Sequence, residues 1–425
     1  MHTRKVMAGI GGVVAAAACL VFLAPQAFAD YGATPNDVVG VGSDTLQAAG
    51  DFVADGDFLG DPGYNSTGNL NKFISVDATA DANTRLAYGT FGVGSGATAA
   101  TNPCSPGTGA TEGTGNQNAT HTGDKPCVLN PTVVLRAGTS PVQRPNGSGA
   151  GYNLLKADTN AGGTGKGLVD FSRASSARGA NVLFDSLQIG NDPLGMLTSS
   201  TTNATNGLSI AQLKSIYQCT TTNWSAVGTG AGTIVPLIPQ IGSGTRSYFE
   251  GQLGLTDSTL GSCVQNVEEN DPEAIDASSS PANAVEPMSQ SRLYLFQGKL
   301  SDGTSNGFRG YFQDPSCIGD STNATCVATP TLTPNVKLWT TAVTGANTPT
   351  DGQALFYPTR PLYIYFRHAD IASAKKFQPG GTLNWVRTML YNPGGATPYW
   401  CSAAGQTDIS ASGIIPACVY TPGGP

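Results

Sequence analysis

The chain has 425 residues, too long for one ordinary domain and long enough for two that each bury a core. With 22 basic against 29 acidic residues and a formal charge of −7, it lacks the basic surface that nucleic acid or an anionic membrane requires. Only 12% of residues are charged while glycine occurs 55 times, a balance that suits an exported protein rich in loops and sheet.

The first 29 residues have the pattern of a secretory leader. Arg4 and Lys5 start it, an apolar run fills 6–23, and Ala27-Phe28-Ala29 forms a small-x-small cleavage site, so the exported chain would begin at Asp30. Two alternatives stand beside this reading: a membrane anchor, disfavoured by interrupting glycines and Pro25, and lipidation at Cys19, where Ala16-Ala17-Ala18-Cys19 loosely resembles a lipoprotein box. The other eight cysteines are even in number and predict four disulfides between neighbours: Cys104–Cys127, Cys219–Cys263, Cys317–Cys326 and Cys401–Cys418. No C-x-x-C spacing occurs, so neither a metal site nor a cofactor is expected.

Residues 38–41 predict a short strand running into Gly42-Ser43-Asp44-Thr45 and a helix with Leu46, Ala49 and Val53 on one face. Between 57 and 131 the pattern breaks down. Stretches 73–76 and 85–91 read as strand fragments, and 92–124 as an irregular surface loop stapled by Cys104 and Cys127. A strand over 132–136 follows, then the loop Asn146-Gly147-Ser148-Gly149-Ala150-Gly151 and a helix with Tyr152 and Leu155. Residues 168–171 read as the end of a strand that delivers Asp170 into a Ser/Arg-rich turn at 172–178. Ser209 and Gln212 form a capping box for a helix carrying Ile210, Leu213, Ile216 and Tyr217. A strand at 234–238 leads into Gly242-Ser243-Gly244-Thr245-Arg246-Ser247 and a helix with Tyr248, Phe249 and Leu253. Farther on, 361–366 is a strong strand and 385–391 a helical face. These strand-loop-helix units predict an α/β protein with mostly parallel sheet, whose ligand sits beyond the carboxyl ends of the strands.

Three loops repeat one device. Glycine lets backbone N–H groups converge, Ser and Thr add hydroxyl donors, and the following helix points its positive end at the same place. That is the chemistry of an anion cradle; the alternative for each loop is a simple helix N-cap.

The motifs, in order, resemble the phosphate-binding solute receptors of bacterial ABC importers, a branch of the type II periplasmic-binding-protein fold. Residues 42–46 resemble the family's first anion loop, 147–151 its second, 169–171 with Ala174 and Ser175 its "DFxAS" segment, and 242–245 its "GSGT" loop. The helix with Leu213, Ile216 and Tyr217, then Trp224, and the stretch 357–370 resemble the family's further elements, whereas 57–131 has no counterpart. The resemblance implies a two-lobed α/β clamp: lobe 1 over 30–190 with the 57–131 insertion, lobe 2 over 191–357, and a return segment 358–425 in lobe 1. It implies that Ser43, Thr45, Ser148, Ser243, Gly244 and Thr245 donate to a tetrahedral oxyanion and that Asp170 accepts the proton of hydrogen phosphate; the alternative for Asp170 is a helix N-cap or a lobe-stabilising carboxylate. Asp44 lies where the first loop often carries a hydroxyl. The family's arginine and aspartate before the third loop are Pro239 and Ile241 here, which leaves Arg246, Arg173 and Arg144 as candidate sources of positive charge.

The expected function is therefore capture of inorganic phosphate or a similar oxyanion by an extracellular, monomeric binding protein, with an ABC permease as partner and no catalysis. Two rivals remain: a wall-associated protein that kept the clamp without transport, and an extracellular hydrolase. The hydrolase lacks a G-x-S-x-G elbow, and beyond the leader only His121 and His368 could serve as a histidine base.

Overall fold

The computed structural model describes residues 32–78, 132–305, 336–340, 348–372, 376–377 and 384–425, less positions 58, 68, 205, 229, 273, 276 and 277. In chain order its strands are β1 (Val38–Gly42), β2 (Phe73–Ser75), β3 (Thr132–Val133), β4 (Val142–Gln143), β5 (Phe171–Ala174), β6 (Phe184–Ser199), β7 (Val235–Pro239), β8 (Gln265–Val267), β9 (Ala284–Ser289), β10 (Val336–Trp339), β11 (Thr359–Arg367) and β12 (Ile415–Thr421). The helices are α1 (Gln47–Asp55), α2 (Ser148–Ala157), α3 (Ile210–Tyr217), α4 (Gly244–Leu253), α5 (Gln290–Phe296), α6 (Ala369–Ala372), α7 (Trp385–Met389) and α8 (Ala403–Ala411).

Ten strands form one sheet in the order β2-β1-β5-β11-β6-β9-β7-β8, with β10 and β12 also on β6. Its outer flanks are parallel, β2-β1-β5 on one side and β9-β7-β8 on the other. Around β6 the pairing is antiparallel. The 16-residue β6 passes through both halves and exchanges partners along its length. Up to Pro193 it pairs with β11 and β12; from Leu194 it pairs with β9, and from Met196 with β10 as well. Pro193 stands at the exchange, where a residue without an N–H leaves no ladder bond unmade.

Strand alternation divides each half into two cores. In the first half Leu362, Ile364 and Phe366 face a cluster with Phe73, Trp385 and Trp400, while Tyr363 and Tyr365 face Val39, Val41, Tyr152 and Leu155. In the second half Leu194, Met196, Tyr217, Trp224 and Phe249 fill one side, and Leu237, Val267 and Met288 the other. α3 starts at the expected capping box, with Gln212 N donating to Ser209 Oγ and Ser209 N donating to the Gln212 side chain.

The expected disulfides Cys219–Cys263 and Cys401–Cys418 are formed. Cys104–Cys127, Cys317–Cys326, the leader with Cys19, the fragment 85–91 and the loop 92–124 lie outside the described residues. Two elements differ from expectation. The strand foreseen over 132–136 keeps two residues, and β5 begins at Phe171, where a strand was expected to end. The second shift moves Asp170 from the carboxyl end of a strand to its entrance. Among the described residues, no helix is long and apolar enough to cross a membrane.

Candidate functional site

The loops after β1 and before α2 and α4 meet between the two halves of the sheet. β1 ends at Gly42, which forms a parallel bridge with Asn146, so the first loop fixes the start of the second. Gly147 has φ +99°, and a Cβ there would lie 2.6 Å from the Gly242 carbonyl oxygen. That glycine permits the close approach by which Gly149 N donates to Gly242 O at 2.9 Å, joining the second loop to the third. Gly244 sits directly over Ser148 and Ser175, whose hydroxyls would be 2.3 and 2.2 Å from any Cβ. Below it Ser148 Oγ accepts from Ser175 N at 2.8 Å.

The hydroxyls have distinct surroundings. Ser243 Oγ accepts from Arg246 N at 3.1 Å and so caps α4, the alternative that its sequence left open. Ser43 is fully buried and its Oγ has no hydrogen-bond partner among the described residues. Thr45 and Thr245, from opposite halves, converge on one oxygen. Thr245 N at 3.2 Å, Thr245 Oγ1 at 2.7 Å and Thr45 Oγ1 at 3.2 Å all donate to Oε1 of Glu269. Burial raises the Glu269 carboxyl above its ordinary range and Asp44 adds to the rise, while Thr245 and the Arg360 charge oppose it.

Glu269 belongs to the segment after β8, which reaches across to the first half. Asn146 Nδ2 donates to Glu268 at 2.8 Å, and Asn270 Nδ2 donates to Asp44 and Thr45, each at 3.1 Å. Asn270 adopts φ +57°, a left-handed conformation uncommon outside glycine. Its Oδ1 accepts from Ser289 N at 3.3 Å.

Positive charge enters from two residues the sequence did not single out. Arg360, fully buried on β11, donates to Asp192 at 2.8 and 3.0 Å and to Thr45 Oγ1 at 3.3 Å. Arg292, near the start of α5, lies 3.6 Å from Asp44 and offsets that carboxylate. Asp192 also accepts from Ser289 Oγ and Ser291 N, tying the crossing strands to the beginning of α5. Neither arginine had a sequence signal beyond its type, because Arg360 stood just outside the strand expected at 361–366. The acidic run 268–271, for which the sequence carried no expectation, is buried: each of its residues is at most 2% exposed.

The structure does not bring two expected residues to the loops. Asp170 receives Val39 N at 2.9 Å, is ion-paired with Arg136, and also binds Lys376, at the entrance of β5 rather than the exit. The parallel strands β1 and β5 carry Ser43 and Ser175 at their other ends, so a strand length separates Asp170 from the cradle. Arg246 turns away: it pairs with Glu250 at 3.1 Å and with Asp257, and donates to Pro239 O and Asn266 Oδ1. Arg173 likewise holds strand ends together through Val76 O, Gly42 O and Ser43 O, and Arg144 donates to Asp77 O at 3.1 Å. Among the described residues no His, Cys, Asp and Glu grouping could hold a metal ion.

No curated protein matches the sequence. Similar solved structures include an ABC-type phosphate transport receptor from Vibrio cholerae, 18% identical over 64% of this chain and 86% of that one, with a TM-score of 0.36. A putative phosphate ABC transporter substrate-binding protein with bound phosphate, from Clostridium perfringens, is 15% identical over 59% and 81%, with a TM-score of 0.34. A human phosphate binding apolipoprotein is 13% identical over 66% and 86%, with a TM-score of 0.36. Residues 132–378, more than half of the chain, match the PBP superfamily domain. With that match, and with loops from two sheet halves closing on one cleft, the chain belongs to the PBP superfamily of two-lobed binding proteins.

Proposed function

We propose that this protein is an exported solute-binding protein that closes its two lobes on inorganic phosphate or a similar tetrahedral oxyanion and delivers it to an ABC importer. Lobe 1 comprises 30–190 and 358–425, and lobe 2 comprises 191–357. The observation that carries the reading is the convergence of Thr45 Oγ1, Thr245 N and Thr245 Oγ1 on a single carboxylate oxygen. Donors from both lobes that satisfy one oxygen of a carboxylate can satisfy one oxygen of a phosphate. In this reading Ser43, Ser148, Ser243 and Gly244 would add further donors, and the starts of α2 and α4 the positive ends of two ten-residue helices.

Arg360 takes the part of the cation that the third loop lacks. Hydrogen bonds to a charged oxygen contribute about 1.5–3 kcal/mol each, so a handful supports the roughly 8 kcal/mol of a micromolar complex after ordering costs. Solute capture makes and breaks no covalent bond. The test is titration calorimetry with phosphate, arsenate and sulfate on ligand-stripped protein, together with mass spectrometry of whatever copurifies in phosphate-free buffer. Heat with phosphate is the expected result. No heat with any of the three at millimolar concentration would overturn the proposal.

A further inference from the structure

We propose that Glu269 is a resident ligand of this cradle: a tethered carboxylate that latches the lobes together and that an incoming oxyanion must displace. The inference rests on the oxyanion reading above. Three donors from two lobes already point at Oε1 of Glu269, which stands where an oxygen of the external ligand would stand. Two species cannot take the same donors at once, so external anion and Glu269 compete.

The flanking residues have the form of a clasp. Glu268 accepts from Asn146, and Asn270 reaches Asp44 and Thr45, so three consecutive residues of lobe 2 grip three positions of lobe 1. The left-handed backbone at Asn270 is held by those contacts and by Ser289 N. Gln240 braces the clasp from within lobe 2, accepting from Glu269 N at 2.7 Å and donating to Asn146 at 3.0 Å. A second contact across the lobes is apolar: Ala48 and Phe52 of α1 meet Leu295 of α5 and Ala411 of α8. The closed arrangement therefore has internal contacts of its own, and displacement of the Glu269 carboxylate leaves it available to re-enter when the anion departs. A ligand that clears the carboxylate must bring its own negative oxygens, because a neutral solute would leave the threonine donors facing a less polar partner.

The experiment measures phosphate affinity by calorimetry, and unliganded dimensions by small-angle scattering, for the wild type, Glu269→Ala and Glu269→Gln. Removing the internal competitor is expected to tighten phosphate binding at least tenfold in Glu269→Ala and to enlarge the phosphate-free particle. Glu269→Gln, which keeps size and an acceptor oxygen, is expected to show a smaller gain and serves if the alanine variant does not fold. Equal or weaker phosphate binding in both variants would overturn the latch while leaving the oxyanion reading intact. If no form, wild type included, binds phosphate, the oxyanion reading falls and scattering alone decides. An expanded Glu269→Ala particle then supports the latch, and unchanged dimensions overturn it.

Discussion

Asp170 and Glu269 are both buried carboxylates within reach of β1 and its loop, yet they are built in opposite ways. Asp170 is held by two cations, Arg136 and Lys376, and by the Val39 amide, at the outer end of the first lobe's sheet. Glu269 is held chiefly by hydroxyls and an amide, with Asp44 near enough to oppose its charge. A carboxylate locked between cations is part of the frame. One held by uncharged donors at the meeting of two lobes can be exchanged for another anion. The difference separates structure from function more sharply than acidity or burial does, since both groups are buried acids.

Breaking the framed carboxylate tests the contrast most strongly. Asp170→Asn leaves Arg136 and Lys376 facing each other in a buried site and is expected to cost about 3–5 kcal/mol of stability in urea denaturation. Phosphate affinity of the molecules still folded should be unchanged. Arg360→Met attacks the cleft side: Asp192 keeps Ser289 and Ser291 but loses its cation, for an expected cost of about 3 kcal/mol. In that variant phosphate affinity should also fall, by at least tenfold in calorimetry.

A third buried carboxyl extends the comparison to a case with no cationic partner among the described residues. Asp408 on α8 is raised from its ordinary 3.8 to about 7, first by burial and then by Asp57 and Asp61, with the Tyr399 hydroxyl opposing. The folded protein thus holds this proton more tightly than the unfolded chain. Its contribution to stability is full below about pH 4 and is lost as the pH rises through about 7. Thermal melts across that window should show the decline, about 4 kcal/mol for the full shift and less once solvent screening is allowed for, and Asp408→Asn should reduce it, leaving the part due to Glu250, which is also raised to about 7. The smallest expected effect distinguishes two serines. Ser43→Ala removes a buried hydroxyl that has no partner among the described residues, so unliganded stability should hold while phosphate affinity drops by about 1–2 kcal/mol. Ser243→Ala instead removes the α4 cap and should cost about 1 kcal/mol of stability.

Much of the fold was legible in the sequence because its local signals are strong. The Ser209 capping box, the strand entering the third loop and the valines of β1 announce themselves by period and cap. β6 did not: no element was expected over 184–199, and Gly190, Asn191, Asp192 and Pro193 lie where one strand changes partners. Loop chemistry pointed to three loops, and those loops do meet, through the Gly42–Asn146 bridge and the Gly149 N to Gly242 O bond. The charged members were opaque for a different reason. Whether an Asp, Glu or Arg faces a cleft or a strand end depends on register and on which elements become neighbours, and a three-residue shift at β5 was enough to carry Asp170 away.

The position of β11 has a consequence for how the protein is made. It lies between β5 and β6, the centre of the first half of the sheet, although β7 to β10 are translated before it. Until β11 arrives, β5 and β6 have a gap between them and no ladder to close it, and pairings so distant along the chain are slow to form. The core of the second half of the sheet is encoded without interruption between Leu194 and Phe356 and can assemble first. The order of folding is therefore expected to invert the order of synthesis, the half whose strands emerge earliest being the last to become native.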